Sequence, residues 1–301
     1  MFKIKITLPG AISGIGPAIS GLALAVGLYT TVEITLQDGD DLIVETEGEG
    51  AGRDAMGLRH PVALAMMRVF QRQEQAVTGL HIRVQNHIPP DSGLGSEAAF
   101  WVAGVVGAAN LLDLRQPRMA LLEMAARMSK LPDSVAASML GGLGATLLED
   151  DTFIQRTLPT APQQLIMVLP TLTTYPTNPQ PERVLLADAH ANLNRIPLLT
   201  EAFRSGDLNL LEQVLADRLH APHFTAHIPG YDHVVEMARR AGAKAVTLAG
   251  TGPALIAFAE RDHRKIATVM ELAFENSGVP SRSWVLPLDT QGVVVSIAGT
   301  P

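Results

Sequence analysis

The 301-residue sequence contains no cysteine. Disulfides, thiolate zinc sites and cysteine nucleophiles are therefore excluded. The composition fits a reducing cytoplasm, which is the expected location. Positive charge is also in short supply: 23 Lys and Arg stand against 30 Asp and Glu, a formal net charge of −7. That balance argues against a nucleic-acid partner or an anionic membrane surface. Long apolar runs are missing too. The stretch from Ile19 to Tyr29 holds two glycines and is too short to span a bilayer. Met1-Phe2-Lys3-Ile4 enters an alternating strand pattern directly, so no signal peptide is expected. No internal repeat or low-complexity tract appears. What remains is a chain 47% hydrophobic and 18% charged, enough for one large domain or two of ordinary size. Any phosphate site must be local, built from backbone amides and a few basic side chains.

One stretch offers such a site: Pro89-Pro90-Asp91-Ser92-Gly93-Leu94-Gly95-Ser96-Glu97-Ala98-Ala99. A strand-like run, Leu80 to Gln85, precedes it. After it, Ala98, Val102, Val105, Ala109 and Leu112 recur at helical spacing. A strand, a glycine-rich turn and a helix start leave free N–H groups at the positive end of a helix dipole, where anions are favoured. The loop lacks the Gly-Lys-Ser/Thr end of a Walker A sequence and the third glycine of a dinucleotide fingerprint. On the loop alone, a phosphate cradle and a plain turn are equally good readings.

The remaining pattern is mixed. Phe2, Ile4, Ile6 and Leu8 alternate with polar residues as in a half-buried strand. Pro9 to Gly16 reads as a glycine-rich loop, with strands after it at 22–28 and 31–36. Asp38-Gly39-Asp40 is a hairpin turn signal before a strand at 42–45. Helices are predicted near 60–71, from 117 and over 133–140, the last with Asp133 as N-cap and Gly141-Gly142 as its stop. Strands follow at 144–148, 153–158 and 165–169. Helices are expected at 182–189, 193–204, 208–219, 231–241 and 263–276, and strands at 245–248, 254–259, 283–286 and 293–297. Without a steady βαβ rhythm this is α+β, divided into residues 1–155 and 156–301.

Three glycine-rich segments form a constellation. They are Pro9–Pro17, Pro90–Ala99 and Leu248-Ala249-Gly250-Thr251-Gly252-Pro253-Ala254. In them the sequence resembles the GHMP small-molecule kinases, and within that family the homoserine kinase branch. Pro132-Asp133-Ser134-Val135-Ala136, Glu182-Arg183 with Leu185-Leu186, and His220-Ala221-Pro222 through Pro229-Gly230 add to the likeness. The resemblance implies a GHMP fold, an N-terminal S5-like α+β domain packed on a ferredoxin-like C-terminal domain. It implies ATP and Mg²⁺ as cofactors and transfer of the γ-phosphoryl to the hydroxyl of homoserine or a similar small molecule, a step toward threonine. A homodimer is left open. Pro90, Ser92, Gly93, Leu94, Gly95, Ser96, Gly250, Thr251 and Gly252 would hold the nucleotide.

The sequence also departs from that branch. Where the family offers an Asn and an Asp to the substrate, Gly14 and Ser20 stand here. Ser129 replaces a Glu that helps hold Mg²⁺, and Phe224 replaces a substrate arginine; Arg183 is the retained one. Glu97 stands where the family has a second Ser. It either caps the helix or, with Ser96, holds Mg²⁺ in place of the lost acid. Glu97 and Arg183 are thus the catalytic candidates, and Gly14, Ser20, Arg183 and Phe224 the acceptor-site positions. Two alternatives follow from the departures: a different small-alcohol acceptor, or a nucleotide-binding homologue with little or no kinase activity. His220, His223 and His227 are interrupted by Pro222 and make a poor zinc set. Trp101 reads as core, and Lys130 as a helix C-terminal cation.

Overall fold

The computed structural model describes residues 2–53, 57–176 and 181–299. Two sheets organise it. The first begins with a long hairpin, β1 (Lys3–Ile15) and β2 (Ala18–Leu36). Ile4, Ile6 and Leu8 of β1 and Val32 and Ile34 of β2 are fully buried, as alternation requires of a one-faced sheet. The strand does not stop at Pro9. It runs on through the first glycine segment, pairing Gly10 with Val26 and Ser13 with Ala23, with irregularities after Pro9 and Ser13. The expected loop is a bulged strand extension. Bulges re-aim a strand without ending its pairing.

The Asp38-Gly39-Asp40 turn does not make a hairpin. It leads into β3 (Leu42–Gly48), which lies parallel to β4 (Leu80–Asn86), and β4 is inserted between β2 and β3. The intervening chain is a 3-10 turn at Gly57–Arg59 and helix α1 (Pro61–Arg72). Pro61 sits in the first turn, where its missing N–H is not needed. The stripe Val62, Ala65, Met66 and Val69 is fully buried. It meets α2 (Ser96–Leu111), a helix buried almost all round, Trp101 included. Helices α3 (Arg118–Ser129) and α4 (Pro132–Leu140) complete the layer. Asp133 is inside the first turn of α4, and Leu131 is the residue at the cap.

A hairpin of β5 (Leu143–Glu149) and β6 (Thr152–Leu158) pairs through β5 with the far end of β2. The second sheet is β10 (Ser281–Pro287), β7 (Gln164–Pro170), β9 (Leu255–Phe258) and β8 (Ala245–Leu248), in that order and all antiparallel. With helices between its first and second strands and between its third and fourth, this is the ferredoxin-like arrangement. The last strand, β11 (Val294–Ala298), crosses back and pairs with β1. The first sheet therefore takes residues from both ends of the chain, and a cut at 155/156 would pass through β6.

Between β7 and β8, one helix, α5 (Leu186–Ser205), replaces the two expected. It continues through Asn192 because that buried amide bonds Asp217 (2.7 Å) and the Arg218 N–H (3.0 Å). Helix α6 (Leu208–Val214) ends early for a matching reason. The Asp217 carboxylate takes the N–H groups of Leu219, His220 and Ala221 and turns the chain into α7 (Ala221–Thr225). Helices α8 (Tyr231–Ala241) and α9 (His263–Asn276) cover the second sheet. None of the described helices is long and apolar enough to cross a membrane.

Candidate active site

The three glycine segments, far apart in sequence, meet in space. The Ala11 N–H donates to the Leu94 carbonyl at 2.9 Å. The Gly250 N–H donates to the Gly14 carbonyl at 3.0 Å, and the Ala254 N–H to the Ser92 carbonyl at 3.2 Å. Contact is so close at Gly93 (φ +86°) that a Cβ there would lie 1.9 Å from the Ala249 carbonyl oxygen. At Gly95 (φ +76°) it would lie 2.6 Å from the Ala11 carbonyl oxygen. Glycine is required at both, for the left-handed backbone and for the space. The Ser92 hydroxyl donates to the Pro89 carbonyl at 2.6 Å and is spent on holding the loop. Leu94 is fully buried beneath it.

These segments border a cleft of about 570 Å³. Gly95 is the residue before α2, and no side chain caps that helix. The first N–H groups of α2 thus lie at the cleft without a capping side chain, together with the positive end of a buried helix dipole. Two cations line the same space, Arg53 and Arg59, both from the segment before α1. Arg53 pairs with the exposed Asp91 at 3.1 Å. Glu97 also lines the cleft, and the Trp101 indole N–H donates to its Oε1 at 3.3 Å. The same cleft is also lined by Ile19 and Leu131 and by Ser13, Ser20 and Ser134. Ser13 Oγ donates to Oδ2 of Asp133 at 2.5 Å. Among the described residues no cluster of three His, Asp or Glu side chains makes a ready metal site.

Comparisons with known proteins identify the family. Residues 61–142 match the family of GHMP kinases N terminal domains, and residues 199–276 match GHMP kinases C terminal. The homoserine kinase of Moorella thermoacetica is 32% identical, over 96% of this chain and 99% of that protein. The homoserine kinase of Prochlorococcus marinus subsp. pastoris is 31% identical, over 96% and 95%. The chain belongs to the GHMP kinases. In this GHMP kinase the fold is shared with the crystal structure of homoserine kinase from Cytophaga hutchinsonii, with TM-score 0.85 and 24% identity over 98% of this chain and 97% of the other. It is shared at longer range with L. major mevalonate kinase, with TM-score 0.66 and 16% identity over 95% and 96%.

Of the positions named from sequence, Pro90, Ser92, Gly93, Gly95, Ser96, Glu97, Gly250, Thr251 and Ser20 line the cleft of this GHMP kinase. Leu94 acts from the core below. Gly252 faces a neighbouring cleft of about 630 Å³ that shares the Arg53–Asp91 wall. Gly14 contributes the carbonyl that holds Gly250 and does not line the cleft. Phe224 is 1% exposed and stacks on Tyr175 at 6.3 Å between ring centres, so it is core rather than a substrate contact. The Tyr175 hydroxyl in turn donates to the Thr251 carbonyl. Arg183 is exposed, on the stretch before α5, and does not line the cleft. Ser129 caps its own turn, its hydroxyl accepting from the Leu131 N–H at 3.0 Å. Lys130 is the C-cap of α3, the helix C-terminal cation expected of it, and does not line the cleft. Sequence reasoning missed Arg53, Arg59, Ser13 and Ser134. The arginines lie before α1 in a stretch that carries no motif, and Ser13 belonged to a segment read for its glycines.

Proposed function

We propose that this kinase transfers the γ-phosphoryl group of ATP to the side-chain hydroxyl of homoserine. The observation that carries the reading is the convergence of all three glycine segments on one cleft at the uncapped start of α2. Relatives named homoserine kinase, at 32% and 31% identity over nearly the whole chain, support the acceptor. Phosphoryl transfer asks for positioning and charge neutralisation more than covalent chemistry. The amides of Ser96, Glu97 and Ala98 would take phosphate oxygens, each charge-assisted bond contributing about 1.5–3 kcal/mol. Arg59 and Arg53 would neutralise the chain. Arg53 can leave Asp91 at small cost, because a pair that exposed is worth at most about 1 kcal/mol.

Mg²⁺ fits the donor set at Glu97 and Ser96. A carboxylate and a hydroxyl suit a hard cation that keeps water and draws most of its ligands from the nucleotide. When bound it would neutralise phosphate charge. Glu97 would orient it, and the Trp101 N–H bond would hold Glu97 in place. The reaction belongs to an enzyme of the cytoplasm, which is the compartment the cysteine-free composition suits.

One observation favours a second reading, a less polar alcohol as acceptor. Ile19, Leu131 and three serines line the cleft, and Phe224 stands where the homoserine kinase branch has a substrate arginine. A carboxylate closed into such a space without a charged partner costs on the order of 1–3 kcal/mol or more. Turnover of Mg-ATP against homoserine, other hydroxy amino acids and isoprenoid alcohols separates the two. Homoserine turnover with a KM that rises in Arg183→Ala supports the first reading, with the exposed arginine swinging to the acceptor. Turnover confined to apolar alcohols supports the second. ATP binding without any turnover leaves a nucleotide-binding homologue.

A further inference from the structure

Asp133 is a carboxylate that packing alone does not account for. It is 5% exposed, and among the described residues it makes no ion pair. Its Oδ1 accepts the Ser134 N–H at 2.8 Å in the first turn of α4, and its Oδ2 accepts the Ser13 hydroxyl at 2.5 Å. Burying a carboxylate without a cation is costly, and a neutral residue would tie α4 to β1 more cheaply. That tie already exists: the Ser138 hydroxyl donates to the Pro9 carbonyl at 2.9 Å.

The bond to Asp133 has a directional consequence. Ser13 lines the cleft, next to the contact between Gly14 and Gly250. With its proton committed to Asp133, Ser13 Oγ can only accept from the cleft side. A substrate that brings its hydroxyl to Ser13 meets an oxygen ready to take its proton. Glu97, in the first turn of α2, lines the same cleft.

We propose that Ser13 and Asp133 form the proton-accepting pair for the acceptor hydroxyl. The inference rests on the kinase reading above, with either acceptor class. Ser13 touches the substrate; Asp133 is the positioning residue behind it. The acceptor oxygen forms its bond to Pγ as the bond from Pγ to the β,γ-bridging oxygen breaks, and that electron pair leaves on ADP. The acceptor proton passes to Ser13 Oγ while the Ser13 proton passes to Asp133 Oδ2. Release of product lets the carboxyl return its proton to water.

The test uses the full chain with whichever alcohol the wild type turns over. Ser13→Ala is expected to lower kcat roughly 10²-fold, at the low end for proton-transfer help, with KM for ATP within about twofold. Asp133→Asn is expected to lose a similar factor, and the double variant no more than either alone, as for groups that act as a unit. Ser13→Thr is expected to restore most of the rate. Unimpaired kcat in Ser13→Ala, or losses that multiply in the double variant, would overturn the pair. So would a Ser13→Ala defect confined to melting temperature and KM. Where Asp133→Asn fails to fold, Ser13→Ala with its Thr rescue decides alone. A wild type that turns over no alcohol overturns the kinase reading and the pair with it; an active wild type with an unimpaired Ser13→Ala overturns the pair alone.

Discussion

The most exposing perturbation is Gly93→Ala, because it attacks the join between two of the three glycine segments. Two costs act together. Placing alanine at φ +86° costs about 1–2 kcal/mol from the clash of Cβ with its own backbone. The added Cβ would also stand 1.9 Å from the Ala249 carbonyl oxygen, a backbone atom that cannot rotate aside. Restoring an ordinary contact of 3.4 Å or more requires the loop to move by about 1.5 Å, which is 3.4 less 1.9. That displacement moves the amides ahead of α2 off any phosphate they hold, and a misplacement of about 1 Å can cost on the order of 10²-fold in rate. Gly278→Ala supplies the control. Its φ is +75°, and nothing lies within 4 Å of the added atom, so it carries the backbone cost without the collision. Thermal melting, ATP titration and kcat on both variants separate the terms. Both should lose stability, and only Gly93→Ala should also lose ATP affinity and about 10²-fold in kcat. Wild-type ATP affinity and rate in Gly93→Ala would refute the claim that the late motif holds the phosphate loop in register.

Glu97→Gln should weaken the apparent Mg²⁺ affinity about tenfold, the worth of one ~1.4 kcal/mol contact, while nucleotide still binds; an unchanged Mg²⁺ titration of kcat would leave Glu97 as a helix-start acid only. His60 should make the fold acid-sensitive. Burial pushes its imidazole down to about 4, its Nδ1 accepts the Val62 N–H at 3.2 Å, and the chain leaves water entirely there. The unfolded chain takes up the proton near pH 6.5 and the folded one does not, so stability present at neutral pH falls as pH drops through 6.5 toward 4. The loss is about 2 kcal/mol by pH 5. Denaturant unfolding at pH 7 and pH 5 should show that loss in the wild type and not in His60→Asn, which keeps a side-chain cap; equal pH slopes in the two proteins would refute it.

Much of the scaffold was legible because it rests on local rules. The helix near 60–71 was placed by its local pattern, and the end of α4 followed from Gly141-Gly142. The α+β class followed from the mixture of periods, and the ferredoxin-like half from the family resemblance. What local rules missed was decided by partners distant in sequence. Nothing in Asp38-Gly39-Asp40 says that β4 will slip between β2 and β3, because the deciding hydrogen bonds come from residues 80–86. The long α5 and the short α6 are both set by Asn192 and Asp217 finding one another across 25 residues.

The same distinction explains the site. Gly93, Gly95 and Gly250 could be named because glycine is demanded by backbone shape, and backbone shape leaves a mark in sequence. Phe224 was named by alignment to a position that carries an arginine elsewhere, and a large apolar side chain there has every reason to turn inward and stack on Tyr175. Ser13 was passed over inside a segment read as a loop. As part of a strand it has a fixed side-chain direction, and with Asp133 behind it that direction gives the hydroxyl a chemical sense. On the proposed kinase reading, the replacements at Gly14, Ser20 and Phe224 would change how the acceptor is held, while the uncapped helix start, the two arginines and the glycines that let three backbones touch would serve the phosphates.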